Sequence, residues 1–129
     1  MKIEHIGYSV SEPISMGKWY EEHLNFEIIR DFGNNEGGVI FLKDNKSGTV
    51  IELFRLPEIS SIKFDKLNPI QLHLAIEHPN PLQLCERLVD AGAEMVGEAP
   101  KAEHQEKRYL VRDPWGFVLQ ILNRKNKLD

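Results

Sequence analysis

The sequence predicts an α+β fold in which the element order βαβββ occurs twice within one domain, residues 1–129. Three observations predict it. Hydrophobic residues alternate with period two and then recur with the helical period, in the same order in both halves. Gly-rich or polar turns separate the later strands of each half. Similar residues stand 68 positions apart, in the pairs His5 and His73, Glu52 and Gln120, and Gly48 and Gly116.

Module 1, about residues 1–55, is expected to begin with a strand at Ile3–Val10, where apolar side chains alternate. A helix follows, in which Pro13 suits the first turn and Ser11 is expected to be the cap. The other strands of this module are expected at Phe26–Asp31, Val39–Lys43 and Thr49–Arg55.

Module 2, about residues 69–125, follows a less regular linker at 56–68. A strand is expected at Ile70–Ile76 and a helix at Pro81–Ala91, which Gly92 ends. The helix residues expected to face inward are Leu82, Cys85, Leu88 and Val89. The last three strands are expected at Glu94–Gly97, Arg108–Val111 and Phe117–Asn123. Two copies are too few for a solenoid, so the repeat indicates one two-part domain.

Composition argues against several classes of partner. Sixteen basic and 20 acidic side chains give a net charge of −4 without a basic cluster, so we expect no nucleic-acid partner. No apolar run approaches the roughly 20 residues of a membrane-spanning helix, so we expect no membrane partner. The single Cys85 excludes an intramolecular disulfide and a cysteine-based zinc cluster. We therefore expect a cytoplasmic protein.

Strand alternation directs four polar side chains away from the apolar faces. Glu52 and Gln120 each stand between two apolar residues in the closing strand of a module, and His5 and His73 open the two modules. Each module therefore has an apolar face for its helix and a second face with a metal-capable group on its first and last strands. A carboxylate buried among aliphatic side chains is unfavourable, and a bound divalent cation would offset that cost.

Taken singly, the four residues have ordinary structural explanations. A strand histidine is commonly a packed residue, Glu52 alone fits a salt bridge, and Gln120 alone fits a wet cavity. Together, two imidazoles, one carboxylate and one amide at equivalent positions indicate a metal site. We predict a divalent ion, Zn, Ni, Mn or Fe, held by His5, Glu52, His73 and Gln120. Two histidines and one carboxylate also leave coordination positions open, as a catalytic metal requires.

Two segments resemble the signature motifs of the vicinal oxygen chelate superfamily. His5–Val10 resembles its opening strand, with the first metal ligand at His5. Asp113–Ile121 resembles its Asp-Pro-x-Gly closing motif, with the last ligand at Gln120. Glu52 and His73 match the second and third ligand positions, and the resemblance covers nearly the whole chain. The superfamily includes glyoxalase I, bleomycin-resistance proteins, extradiol dioxygenases, fosfomycin-resistance proteins and methylmalonyl-CoA epimerase.

The resemblance implies a particular fold, chemistry and assembly. The family pairs two βαβββ units whose mixed sheets curl around an open cavity, with the metal at its base. The metal chelates vicinal oxygens of a small substrate and stabilises the oxyanion that develops there. Single chains of the family commonly form homodimers, and some build each site from two chains, so we expect a homodimer.

Several positions depart from bacterial glyoxalase I. Gln120 stands where that enzyme usually has a proton-shuttling glutamate, so Glu52 is the remaining candidate for a catalytic base. Ser9 and Leu56 stand where glyoxalase I tends to carry the Arg and Asn that serve glutathione, which argues against a glutathione adduct as substrate. Extradiol dioxygenases carry their carboxylate on the closing strand of the second unit, whereas here it lies on the equivalent strand of the first.

The predicted function is that of a metal-dependent, glyoxalase-like lyase or isomerase that stabilises an enolate or enediolate of a small α-oxygenated substrate. Two alternatives stay open: a non-catalytic small-molecule binding protein of the bleomycin-resistance type, and a small dioxygenase. The strong ligands His5, Glu52 and His73 favour an enzyme over a binding protein, because the binding proteins generally lack such residues.

Overall fold

Each half of the sequence folds into its own four-stranded mixed sheet with one helix. The computed structural model describes residues 1–33, 37–100 and 106–128. The chain divides into two units, unit 1 at Met1–Ile62 and unit 2 at Lys63–Asp129. The predicted α+β class with two βαβββ modules is confirmed.

Unit 1 contains the elements β1 (Ile6–Ser9), α1 (Pro13–His23), β2 (Phe26–Asp31), β3 (Gly38–Asp44) and β4 (Val50–Arg55). Its strands are ordered β1-β4-β3-β2. Strand β1 runs parallel to β4, and the other two pairs are antiparallel. The edges of this sheet are therefore β1 and β2.

Unit 2 begins with a short 3₁₀ turn and repeats the same arrangement. Its elements are the turn Phe64–Lys66, then β5 (Leu74–Glu77), α2 (Pro81–Asp90), β6 (Glu94–Glu98), β7 (Tyr109–Arg112) and β8 (Val118–Leu122). Its strands are ordered β5-β8-β7-β6, with β5 parallel to β8. The edges are β5 and β6.

The two sheets also share one register. In unit 1 Gly7 lies opposite Glu52 on the parallel pair β1 and β4. In unit 2 Ala75 lies opposite Gln120 on β5 and β8. Both members of the second pair are 68 positions after those of the first. The offset seen in the sequence therefore corresponds to equivalent positions in three dimensions.

The opening strand of each module is shorter than predicted. The expected Ile3–Val10 is reduced to Ile6–Ser9, and the expected Ile70–Ile76 becomes Leu74–Glu77. In unit 2 the cause is local, because the Ile70 N–H donates to Asn68 Oδ1 at 2.9 Å and belongs to a turn.

Helix α1 packs on the middle of its sheet. Met16 and Tyr20 are fully buried, as are Ile40 and Leu42 of β3. A Cβ added at Gly17 would lie 2.9 Å from Ile40 Cγ2, so the glycine permits this close approach of helix to sheet.

The predicted cap at Ser11 is wrong. The N-cap residue is Glu12, whose carbonyl accepts from the Met16 N–H at 3.0 Å. The helix begins at Pro13, and this shifts the cap to the residue directly before the proline.

Helix α2 buries a different stripe from the predicted one. Leu84, Cys85 and Leu88 are buried, whereas Leu82 and Val89 are 46% and 40% exposed. At 100° per residue, the two exposed side chains lie about 90–115° from the middle of the buried stripe, so they miss the sheet. Burial raises the pKa of the Cys85 thiol to about 11.

No helix in the described ranges is long and apolar enough to cross a membrane.

The turn between β3 and β4 is organised by Asp44. Its carboxylate accepts from the backbone N–H of Lys46 at 3.2 Å and of Ser47 at 3.0 Å, and Gly48 adopts a φ of +77°. Partial burial raises the pKa of Asp44, but the hydrogen bonds from Ser47 and Lys46 outweigh burial and hold it below its ordinary value.

Candidate functional site

Strand β4 separates an apolar face from a polar one. Ile51 and Leu53 are fully buried on the side of α1, while Glu52 and Phe54 are half-buried on the other side. Strict alternation produces this separation, because successive side chains of a strand point to opposite faces. Glu52 therefore lies on the face of the sheet that the helix leaves free.

His5 and Glu52 are brought together on that face. The two atoms that face each other, His5 Nε2 and Glu52 Oε2, are 3.8 Å apart, with the side chains 32% and 23% exposed. This distance exceeds a hydrogen bond. Since each ligand bond to a divalent metal is about 2.0–2.2 Å long, two ligand atoms on one ion lie up to about 4.2 Å apart. The pair is therefore compatible with sharing one cation.

Two neighbours fix the His5 ring. The Glu4 carboxylate contacts His5 Nδ1, and the Phe41 ring packs edge-on against the imidazole, with centroids 5.4 Å apart and planes at 89°. A carboxylate on one ring nitrogen selects the tautomer whose other nitrogen is free to bind a metal. Sequence reasoning missed Glu4, and its position next to His5 was the only available signal.

Gly7 makes room for the Glu52 carboxylate. A Cβ at Gly7 would lie 3.1 Å from Glu52 Oε1 and 3.5 Å from Phe54 Cε1. The carboxylate therefore lies against the backbone of the neighbouring strand, in space that any other residue would occupy.

The equivalent pair in unit 2 is His73 and Gln120. His73 directly precedes β5 and is half-buried, and its Nδ1 is buried with no hydrogen-bond partner in the part of the chain that the structure describes. Gln120 is 4% exposed and lies opposite Ala75. By strand alternation both side chains belong to the same face of their sheet.

The Asp-Pro-x-Gly motif forms the turn between β7 and β8. Asp113 Oδ1 accepts from the backbone N–H groups of Trp115 and Phe117, both at 2.9 Å. Gly116 adopts a φ of +88°, and a Cβ there would lie 3.0 Å from the Asp65 backbone nitrogen. The motif is therefore structural and fixes the start of the strand that carries Gln120.

Arg112 also stabilises this turn, because its guanidinium donates to three backbone carbonyls. Its Nη1 donates to the carbonyls of Phe64 and Gly116 at 3.0 and 2.8 Å, and its Nη2 donates to the Leu67 carbonyl at 2.9 Å. These bonds connect the end of β7 to the 3₁₀ turn, to the residue after it and to the Asp-Pro-x-Gly turn.

Of the four predicted ligands, His5 and Glu52 lie close together in unit 1, and His73 and Gln120 share one face of the sheet in unit 2. Over residues 1–33, 37–100 and 106–128, no group of three or more His, Cys, Asp or Glu side chains is arranged to hold a metal. A shallow pocket of about 620 Å³ in unit 2 lies at the start of α2 and is lined by none of the four.

A model of the Glyoxalase/Bleomycin resistance protein/Dioxygenase superfamily matches residues 2–121. The chain belongs to this superfamily. The match confirms the resemblance to the vicinal oxygen chelate family, and the superfamily includes members that bind small molecules and members that use divalent metals. No curated protein sequence matches the chain.

Solved structures of superfamily members share the fold at low sequence identity. A trypanothione-dependent glyoxalase I from Leishmania major is 22% identical, with a TM-score of 0.70 over 97% of this chain and 88% of that one. A mutant fosfomycin resistance protein from Listeria monocytogenes, complexed with Mn(II) and 1S,2S-dihydroxypropylphosphonic acid, is 16% identical, with a TM-score of 0.71 over 98% and 91%. An antibiotic binding protein from a Streptomyces species is 19% identical, with a TM-score of 0.61 over 97% and 99%.

Proposed function

We propose that this superfamily member is a metal-dependent, glyoxalase-like lyase or isomerase that acts on a small α-oxygenated substrate. His5, Glu52, His73 and Gln120 hold a divalent ion, and Glu52 is the catalytic base. The observation that carries the proposal is the 3.8 Å separation of His5 Nε2 and Glu52 Oε2 on the face that α1 leaves free.

The donor set fits a divalent metal on two further grounds. The buried Nδ1 of His73 lacks a partner among the described residues, and an unpaired buried imidazole nitrogen is destabilising unless a ligand satisfies it. The Glu4 contact on His5 Nδ1 is the arrangement typical of metal-bound histidine, in which a carboxylate fixes the other ring nitrogen. The Mn(II) complex of the Listeria protein supports the same class of ion.

A bound ion would polarise the vicinal oxygens of the substrate and stabilise negative charge on them. The protein itself supplies the proton transfer. Among the four ligands, Glu52 alone can accept and return a proton, because the Gln120 amide is not a base and both histidines serve as neutral ligands. Phe41 lies opposite Glu52 on β3 and Phe54 follows it by two positions on β4, so both aromatic side chains share the face of Glu52 and give the carboxylate apolar neighbours.

Elemental analysis of protein purified without chelator tests this function. We expect about one divalent ion per chain, and its loss in His5→Ala and His73→Ala. His23→Ala is the matched control, because His23 packs against Trp19 on helix α1 and not on the ligand face. A native protein that carries no metal and binds none on addition would refute the proposal.

Two other functions have support of their own. A binding protein without chemistry is supported by the fold shared with the Streptomyces antibiotic binding protein and by the lack of a three-residue metal cluster in the described ranges. Metal-free protein that still binds small molecules would favour it. A small dioxygenase is supported by the set of two histidines and one carboxylate, and oxygen consumption by Fe(II)-loaded protein would favour it.

We also propose that the protein is a homodimer. The four sheet edges β1, β2, β5 and β6 and the exposed Ile6 and Val96 on two of them support association, since exposed apolar edges favour pairing. Sedimentation equilibrium at micromolar concentration should give twice the chain mass of 14.9 kDa; a monomer would contradict it. Mixing His5→Ala with His73→Ala chains then restores metal binding only if one site draws ligands from two chains.

A further inference from the structure

Three basic residues in and before β7 have different environments. Lys107 Nζ forms an exposed ion pair with Glu98 Oε1 at 3.4 Å. The guanidinium of Arg112 is occupied by three backbone carbonyls. Arg108 donates Nη2 to the Pro100 carbonyl, but its Nε is buried and has no hydrogen-bond partner in the described ranges.

Strand register directs Arg108 to the face that carries Gln120. Leu110 lies opposite Gln120 on β8, and Arg108 precedes Leu110 by two positions, so the two side chains share that face. The Ala99 N–H donates to the Arg108 carbonyl at 2.7 Å, so antiparallel pairing continues through Arg108.

The unsatisfied nitrogen indicates a missing acceptor. His73 Nδ1 and Arg108 Nε are the buried side-chain nitrogens without a partner among the described residues, and both belong to unit 2. A guanidinium is always charged, so burying one of its donors unpaired is unfavourable unless an acceptor arrives with the ligand. The acceptor that matches a guanidinium best is an oxyanion, because its N–H groups fit two oxygens at once.

We infer that Arg108 binds an oxyanion group of the substrate: a carboxylate, a phosphate or a phosphonate. The identification of this ligand as the substrate rests on the proposed function. The anion site itself requires no metal and can be tested alone.

The experiment follows the Arg108 Nε–H resonance by ¹H–¹⁵N NMR on metal-free protein during titrations with phosphate, methylphosphonate and acetate. We expect a saturable shift of this resonance. The anion with the lowest dissociation constant shows which class of oxyanion the site prefers. Arg108→Gln should weaken that anion's binding at least about tenfold, and Arg108→Lys should recover part of it. Lys107→Gln removes the same charge one residue away and should leave binding within about twofold.

Three results would overturn the inference: an Arg108 Nε–H that none of the anions shifts, equal weakening by the Lys107 and Arg108 variants, or binding unchanged in Arg108→Gln. The variant His73→Ala distinguishes a failure of this inference from a failure of the proposed function. That variant should lose metal and keep the anion response, so a failure of metal binding leaves the anion site standing.

Discussion

Replacing Gly7 by alanine should weaken metal binding without destabilising the fold. The new Cβ would lie 3.1 Å from Glu52 Oε1, so the carboxylate must move by a few tenths of an ångström. Metal–ligand distances tolerate about 0.2 Å. We therefore expect the dissociation constant of the ion to rise about tenfold.

Stability should respond differently to the same change. Gly7 is not among the residues with positive φ, so alanine fits the backbone and also restricts the unfolded chain. The free energy of unfolding should stay within about 1 kcal/mol of the parent, with a gain as the expected sign.

Isothermal titration of Mn²⁺ into metal-free protein measures the affinity, and urea unfolding measures the stability. Ala75→Gly is the matched control, because Ala75 holds the equivalent register position opposite Gln120. Glu52→Gln gives the effect of losing the carboxylate itself. If Gly7→Ala binds the ion as tightly as the parent, Glu52 is not a ligand in the geometry described above.

Three further changes have defined outcomes. Gln120→Glu should tighten metal binding, measured by titration, and should lower the melting temperature of the metal-free protein, because it adds an unpaired carboxylate at a buried position; weaker binding would show that Gln120 does not face the metal. Asp44→Asn should cost about 0.5–1 kcal/mol at pH 7. Because the folded-state pKa of Asp44 is lowered, this stabilisation is present above its ordinary pKa and is lost as pH falls through the folded value, so urea unfolding at pH 7 and at successively lower, acidic pH should show the difference shrink. Cys85, with its pKa near 11, should react with iodoacetamide at pH 8 at least about a hundredfold more slowly in the native state than in urea.

The order of the elements could be predicted from the sequence because hydrophobic periodicity is a local signal. Strand β2 matches the expected Phe26–Asp31 at both ends. The stripe of α2 could not be predicted in the same way. Leu82 and Val89 are as apolar as the residues that are buried, and only the position of the sheet decides which of them it covers.

The candidate site could likewise be predicted only in part. Strand alternation predicts that Glu52 and Gln120 lie on the sheet faces opposite the helices, because that prediction needs only a strand and its neighbours in sequence. The contact of Glu4 with His5 and the Arg108 Nε that has no partner among the described residues depend on side-chain packing, which no spacing in the sequence encodes.

The two repeats carry different residues at a position where their strand register is identical. At one position unit 1 has a carboxylate opposite a glycine, and unit 2 has an amide opposite an alanine. The face of unit 1 thus bears the charged side chain among the proposed ligands, Glu52, while the face of unit 2 bears the two neutral ones, His73 and Gln120, and the Arg108 guanidinium. A carboxylate at Gln120 would oppose an anionic ligand near Arg108, whereas an amide does not. The amide at that position is therefore consistent with a substrate that carries its own negative charge, and Gln120→Glu should weaken phosphate binding even while it tightens the metal.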